Sequence, residues 1–214
     1  MQTRPRRSMT DVARASRAFT LVELLVVIGI IGVLVAILLP TLSKARESSK
    51  RTACAAQLRD VGNLFQMYLN ENKQRVPRVN PTPSSPNVVP GAPSIYEVLD
   101  PYTKGGRQGW RCPADRIITS PTPDKETWFE KEGGSFEYNV FFNAFAFDAV
   151  TGVNKVWRDA LHDAEERGVP NNALRVFQDF DPFHGKPGEK NSRNYLYADW
   201  SVGERVDPPR RPRP

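Results

Sequence analysis

From Leu24 to Leu39 the chain reads LLVVIGIIGVLVAILL, an unbroken apolar run of 16 residues with no polar face to turn toward water. With Phe19 to Glu23 ahead of it and Pro40 to Leu42 behind, it reaches the roughly 20 residues that a helix needs to cross a bilayer. One such span is available, and the rest of the 214 residues are polar enough to exclude a polytopic membrane protein. Five arginines precede the run (Arg4, Arg6, Arg7, Arg14, Arg17), and Lys44, Arg46, Lys50 and Arg51 come after it, so the flanking charge only mildly favours an N-terminus inside.

The formal charge of +6 would ordinarily bring nucleic acid to mind as a partner, but it is concentrated at the two ends. Residues 1–18 carry those five arginines against Asp11, and the tail 207–214 carries Arg210, Arg211 and Arg213 against Asp207. The body between them is neutral. Affinity for nucleic acid grows with the number of cations reaching phosphates, so no nucleic-acid partner is expected.

Three readings compete for the apolar run. A cleaved secretory signal has a core of about 7 to 15 residues and a small-residue cleavage site, whereas this core is longer and runs into Pro40, Ser43 and a charged segment. A plain signal anchor fits the length but leaves Glu23 unexplained, because a carboxylate at the head of an apolar span is costly and points to a function. The third reading comes from the residues themselves. Ala18-Phe19-Thr20-Leu21-Val22-Glu23-Leu24-Leu25-Val26-Val27-Ile28, with Gly29, Gly32 and Pro40 beyond it, closely resembles the class III signal of type IV prepilins and type II secretion pseudopilins.

That resemblance implies a cytoplasmic leader, residues 1–18, removed by prepilin peptidase between Ala18 and Phe19, with N-methylation of the new Phe19 amine. Ala18 stands where the family usually has Gly. Glu23 is then the assembly carboxylate. A new cationic amine meeting Glu23 of a neighbouring subunit in a low-dielectric bundle gains a partner that neither charge has alone, so the pair acts as a register device. Gly29 and Gly32 have poor helix propensity and Pro40 lacks an amide donor, so this stretch is the place where the helix can loosen on assembly; close helix packing is the plainer role for the glycines.

Residues 19–42 form the transmembrane and assembly helix in this reading, and residues 43–76 its amphipathic extension. Leu42, Ala45, Ser49, Ala53, Gln57 or Leu58, Val61, Leu64, Phe65, Tyr68 and Leu69 recur at helical spacing until Asn70, Asn72 and Pro77 stop the pattern. Continuous from Phe19 to Asn72, the helix is about 80 Å long at about 1.5 Å per residue. Residues 77–94, rich in Pro, Ser and Asn, read as a loop. In residues 95–206, Ser135–Phe147 reads as a strand or hairpin, Lys155–Gly168 as a short helix, and Ala173–Phe180 and Asn194–Val202 as two further strands. The expected class is α+β: a long N-terminal helix packed on a small antiparallel sheet, the arrangement the resemblance also implies.

Further motifs are similar to those of a large pseudopilin-like group: Cys54 with Leu58-Arg59-Asp60-Val61-Gly62, Cys112-Pro113-Ala114-Asp115, Tyr138-Asn139, and His184 with the downstream Asp199. Asp199 precedes Trp200 where that group has Gly. With the N-terminus inside, Cys54 and Cys112 lie on the far side of the membrane, where disulfides persist. One bridge between them is expected; two independent buried thiols are the alternative, and a metal pair is disfavoured because no spaced His or Cys adjoins them.

Catalysis finds no foothold. His162 falls in a charged helical stretch and reads as a surface residue, and no nucleophile elbow, phosphate loop or HExxH is present. Near His184 lie Asp179 and Asp181, and these with Asp199 make a candidate calcium site by analogy with the C-terminal site of major pseudopilins; a plain turn is the other reading. Otherwise no cofactor is expected. The chain is thus expected to be a non-enzymatic subunit of a pseudopilus or pilus, type II secretion-like. Its partners are prepilin peptidase, other pilin-like subunits and the inner membrane, with the N-terminus cytoplasmic and the C-terminal domain periplasmic. The alternatives are a type IV pilin in adhesion or DNA uptake, and a single-pass envelope binding module with Trp110, Trp128, Phe141, Phe142 and Phe145 lining a groove.

Overall fold

A computed structural model of the chain describes residues 20–85, 88–104, 106–116, 126–148, 150–180, 183–184 and 192–203. The leader 1–18, the expected cut between Ala18 and Phe19, Asp181 and the tail 207–214 lie outside the described residues. Two compact units divide between Lys44 and Ala45.

One helix, α1, runs from Leu21 to Glu71 and continues through Pro40. Up to Arg46 every described residue is exposed, and the large apolar side chains from Leu21 to Leu42 are each 44% to 78% exposed. The outer half behaves differently. Cys54, Leu58, Val61, Gly62, Phe65 and Leu69 are buried at steps of three and four, so one stripe faces a core while the other faces stay polar. The helix stops at two non-glycine residues with left-handed backbone, Lys73 at φ 55° and Gln74 at φ 60°, where the Gln74 amide donates back to the Leu69 carbonyl at 2.6 Å.

The second unit is built on a four-stranded antiparallel sheet in the order β1-β4-β5-β6, where β1 is Phe136–Tyr138, β4 Arg175–Asp179, β5 Tyr195–Tyr197 and β6 Val202–Gly203. Phe136 pairs with Asp179 and Tyr138 with Phe177, and a register shift between Arg175 and Phe177 lets both Val176 and Phe177 be buried. A two-stranded ribbon, β2 (Phe147–Asp148) with β3 (Val153–Asn154), lies apart from that sheet. Short helices α2 (Ile95–Leu99), α3 (Trp128–Glu132), α4 (Asn143–Ala146) and α5 (Trp157–Glu166) complete the unit.

The α1 stripe meets the sheet through Phe65, whose ring lies 5.6 Å from that of Phe177 and 6.1 Å from that of Tyr138. Gly62 explains itself at this contact, because a Cβ there would stand 2.8 Å from Leu196 Cδ2. The fold is therefore α+β, with the long helix on a small antiparallel sheet as expected.

Two of the strand expectations need correction. Of Ser135–Phe147 only Phe136–Tyr138 and the final Phe147 are strand; between them Val140–Phe142 turns as a 3-10 helix and Asn143–Ala146 as α4. The cause is Asn139, whose side-chain oxygen accepts the Phe141 amide and whose Nδ2 donates to the Arg175 carbonyl, ending the strand by capping the 3-10 turn at Val140. Asn194–Val202 is two strands joined by a tight turn rather than one. Asp199 accepts from the Ser201 amide and hydroxyl, and Trp200 takes φ 64°, so the chain reverses there. Among its described residues the segment 77–94 forms no helix or strand beyond an isolated bridge between Asn80 and Ser94, yet it is pinned: Asn80 Nδ2 donates to the carbonyls of Val89 and Ala92, and its Oδ1 accepts the Val89 amide at 2.9 Å.

Candidate functional site

At the start of α1 the polar atoms close a reciprocal cap. Thr20 Oγ1 and the Thr20 amide donate to Glu23 Oε2 at 2.7 and 2.9 Å, and the Glu23 amide donates to Thr20 Oγ1 at 3.3 Å. This is the Ser/Thr-x-x-Glu capping pattern, which satisfies amides that the first helical turn leaves without partners. Thr20 is legible in the sequence as the residue three before a Glu at the head of an apolar run, and reading Glu23 as an assembly carboxylate alone overlooks it. In this arrangement Glu23 has a local partner, so a second charged partner would compete with the cap. Gly29 and Gly32 have nothing within 4 Å of where a Cβ would stand, which leaves a flat strip on the exposed helix.

A second constellation gathers where the buried stripe of α1 begins. Cys54 and Cys112 are joined by a disulfide with Cα atoms 4.8 Å apart, both cysteines essentially inaccessible, so the expected bridge is present. Residues 112–115 fold as a turn in which the Asp115 amide donates to the Cys112 carbonyl at 2.9 Å. The Asp115 carboxylate then accepts the Trp128 and Phe129 amides at the start of α3 and the Ser135 hydroxyl at 2.7 Å, and Ser135 Oγ in turn accepts the Cys112 amide. Partial burial raises the Asp115 pKa above the usual carboxylate value, against the lowering effect of these donors. The Cys-Pro-x-Asp motif is accordingly a structural clamp: its Cys ties the segment to α1 and its Asp ties it to α3.

His184 joins the same place. Its side chain is fully buried, and Nε2 lies 3.9 Å from Cys112 Sγ and 3.6 Å from Asp179 Oδ2, while Nδ1 lies 3.8 Å from Oε1 of Glu47 on α1. Asp179 is fully buried at the end of β4. Its Oδ2 accepts the Asn194 amide at 2.7 Å and the Asn194 side chain at 3.1 Å, whereas no donor among the described residues reaches Oδ1. Burial pushes the Asp179 carboxyl up to about 7 and the His184 imidazole down to about 4, so desolvation outweighs the attraction a charged pair would have.

Among the residues expected to hold calcium, Asp179 is buried in this cluster, while Asp199 is exposed in the β5–β6 turn, occupied by Ser201. Tyr138 is buried against Phe65 and serves the core. His162 is on the surface, as expected, 3.4 Å from Glu166 on the next turn of α5. Of the aromatics expected to line a groove, Trp110 and Phe142 are buried in the core and Phe141 stands 76% exposed. The convergence of His184 on the disulfide has no sequence signal, because 72 residues separate it from Cys112.

Residues 13–39 match the family model of the prokaryotic N-terminal methylation motif. Over 59 residues the chain is 42% identical to the type IV wide pilus major component PilA4 of Thermus thermophilus, a match covering 28% of this chain and 45% of that protein. The chain thus spans less than half the length of the curated relative it matches. No solved structure matches it.

Proposed function

We propose that this type IV pilin-like chain is a non-enzymatic subunit of a pilus or pseudopilus fibre, of the type II secretion kind, made as a membrane-anchored precursor. The observation that carries the reading is a coincidence of position. From Leu21 onward the methylation motif, which spans residues 13–39, falls on the half of α1 whose large apolar side chains are exposed, while the other half of the same helix buries its stripe under a sheet. A helix divided this way has one half for lipid or for copies of itself and one half committed to its own domain.

In this reading prepilin peptidase removes residues 1–18, and Phe19 becomes the methylated N-terminus. The precursor sits in the inner membrane with the leader in the cytoplasm and residues 45–203 outside. The Cys54–Cys112 disulfide supports that orientation, since such bridges persist in oxidising compartments. Burial of Trp110 and Phe142 in the core weighs against a groove-lined binding module.

Mass spectrometry of the mature protein from cells containing the peptidase tests the processing step: an N-terminal peptide beginning at N-methylated Phe19 is expected, and an intact Met1 start would refute it. For assembly, Glu23→Ala is expected to leave cleavage intact and to reduce incorporation into fibres at least tenfold. Glu23→Gln separates the two roles of this residue, because an amide still accepts from Thr20 but carries no charge. Normal incorporation of the Gln variant would confine Glu23 to helix capping.

A further inference from the structure

Two buried sulfurs, a buried imidazole and a buried carboxylate meet where α1 enters the core, an unusual concentration of metal-binding atoms for a structural domain. The Sγ atoms of Cys54 and Cys112 and a ring nitrogen of His184 all lie within 4.8 Å of one another. The nitrogen facing the sulfur is Nε2, 3.9 Å from Cys112 Sγ, and the same nitrogen is 3.6 Å from Asp179 Oδ2. Asp179 also keeps Oδ1, a buried oxygen that no donor among the described residues reaches. We propose that in its dithiol form the chain binds one Zn²⁺ through Cys54, Cys112, His184 Nε2 and the Asp179 carboxylate, so that the junction between α1 and the sheet is closed either by a disulfide or by a metal ion. This site is independent of the fibre-subunit reading.

The dimensions fit. With Zn–S near 2.3 Å and Zn–N near 2.0 Å, tetrahedral geometry separates a sulfur from a nitrogen ligand by about 3.5 Å, so the Cys112–His184 distance has only a few tenths of an ångström to contract. Cys, Cys, His and Asp form a ligand set of the borderline-soft kind that zinc takes. The outer shell is also in place. His184 binding through Nε2 carries its proton on Nδ1, and Nδ1 faces Glu47 Oε1 at 3.8 Å, an oxygen that Arg116 Nη2 also approaches at 3.7 Å. A carboxylate behind a metal-bound histidine fixes the ring and raises its basicity. The Asn194 amide and side chain hold Asp179 Oδ2 in the same manner.

The interconversion balances. A dithiol reductant gives two electrons and two protons to the Cys54–Cys112 bond, becoming a disulfide itself and leaving two thiols on the chain. Zn²⁺ then displaces both thiol protons to solvent and binds the thiolates. Reoxidation by a disulfide oxidant, which takes the two electrons, and two protons from solvent, to become a dithiol, joins the two thiolates, removes two of the four ligands and releases the ion.

The test uses the full chain in non-ionic detergent, as isolated and after phosphine reduction with both thiols verified by alkylation, with Co²⁺ as the spectroscopic probe and Zn²⁺ as competitor. The reduced chain is expected to take up one Co²⁺ per molecule with intense tetrahedral d–d bands and thiolate charge-transfer absorption, to lose both on adding one equivalent of Zn²⁺, and to show neither in its disulfide form. His184→Ala is expected to abolish the tetrahedral spectrum. Glu47→Gln, a change on a partly exposed helix face that spares the core, is expected to weaken Zn²⁺ binding about 10- to 100-fold. The proposal is overturned by a reduced chain that stays folded without binding cobalt, by thiolate bands that His184→Ala leaves unchanged, or by a reduced chain that unfolds and does not refold on adding Zn²⁺.

Discussion

In the disulfide form the pair Asp179 and His184 predicts an unusual dependence of stability on pH. Folding raises the Asp179 carboxyl from an ordinary 3.8 to about 7, chiefly by burial, with Asn194, Arg193 and Arg51 pulling the other way. It lowers the His184 imidazole from 6.5 to about 4, again chiefly by burial, against the upward pull of Glu47 and with Arg51 and Arg116 adding to the fall. Between about pH 4 and pH 7 the folded carboxyl keeps a proton that the unfolded one has lost, so this residue makes the protein less stable as pH rises. Between about pH 4 and pH 6.5 the unfolded imidazole holds a proton that the folded one lacks, so His184 makes it less stable as pH falls. Over the shared window the folded chain carries its proton on Asp179 and the unfolded chain carries one on His184. The proton counts nearly match, and the two slopes oppose each other.

Removing one member of the pair exposes the other. A carboxyl displaced by about three pH units at ~1.4 kcal/mol each corresponds to roughly 4 kcal/mol, so His184→Gln should lose stability on that order between pH 4 and pH 7. Asp179→Asn, whose amide oxygen still accepts from Asn194, should instead gain stability over pH 4 to 6.5 by a smaller amount. Urea unfolding of the oxidised chain in detergent, monitored by tryptophan fluorescence at pH 4, 5, 6 and 7, reads both slopes against a comparatively flat parent. Two variants sloping the same way, or neither sloping more than the parent, would refute the argument that these groups exchange one proton on folding.

Replacing both Cys54 and Cys112 by Ser removes a cross-link between residues 58 positions apart, and loop-closure entropy puts its contribution at about 4 kcal/mol; chemical denaturation under oxidising conditions measures the loss. Gly134→Ala should destabilise by about 1 to 3 kcal/mol, because a Cβ there meets the ring of the buried Tyr96 at 2.5 Å, and that ring is anchored by its hydroxyl to the Phe136 carbonyl. Gly62→Ala should cost less, since its close neighbour is a terminal methyl of Leu196 that can turn aside; thermal melts of the two variants give the order.

The sequence carries the long helix because both of its halves announce themselves, one by an unbroken apolar run and the other by a stripe from Cys54 to Leu69. It carries the cysteine pairing because only two cysteines exist. Strand limits are less legible wherever a side chain overrides local preference. Phe141 to Phe147 has the aromatic content of a strand, yet Asn139 caps a helical turn there; Tyr195 to Val202 alternates like one strand, yet Asp199 and Trp200 turn it back. His184 reads as a loop residue because Gly and Pro surround it, and nothing local reports that Ser192 and the disulfide enclose it.

Scattered through the chain, Cys54, Gly62, Cys112, Asp115 and His184 look like five unrelated signals, and the fold gives them one task. Cys54 is the first fully buried residue along α1, so it marks where the helix passes from exposed surface into the core. Cys112 bonds it there, Asp115 fastens the Cys112 turn to α3 and Ser135, and Gly62 two turns later lets the helix lie against Leu196. In the proposed fibre, any pull on the assembly half of α1 meets its first covalent tie to the globular unit at Cys54, before the packed contacts of Leu58 to Leu69 are loaded. A covalent bond at that point holds against peeling that a hydrophobic stripe alone would yield to one side chain at a time. The buried polar atoms of Glu47, His184 and Asp179 sit beside this bond, so their desolvation cost is borne where the fold is most firmly tied.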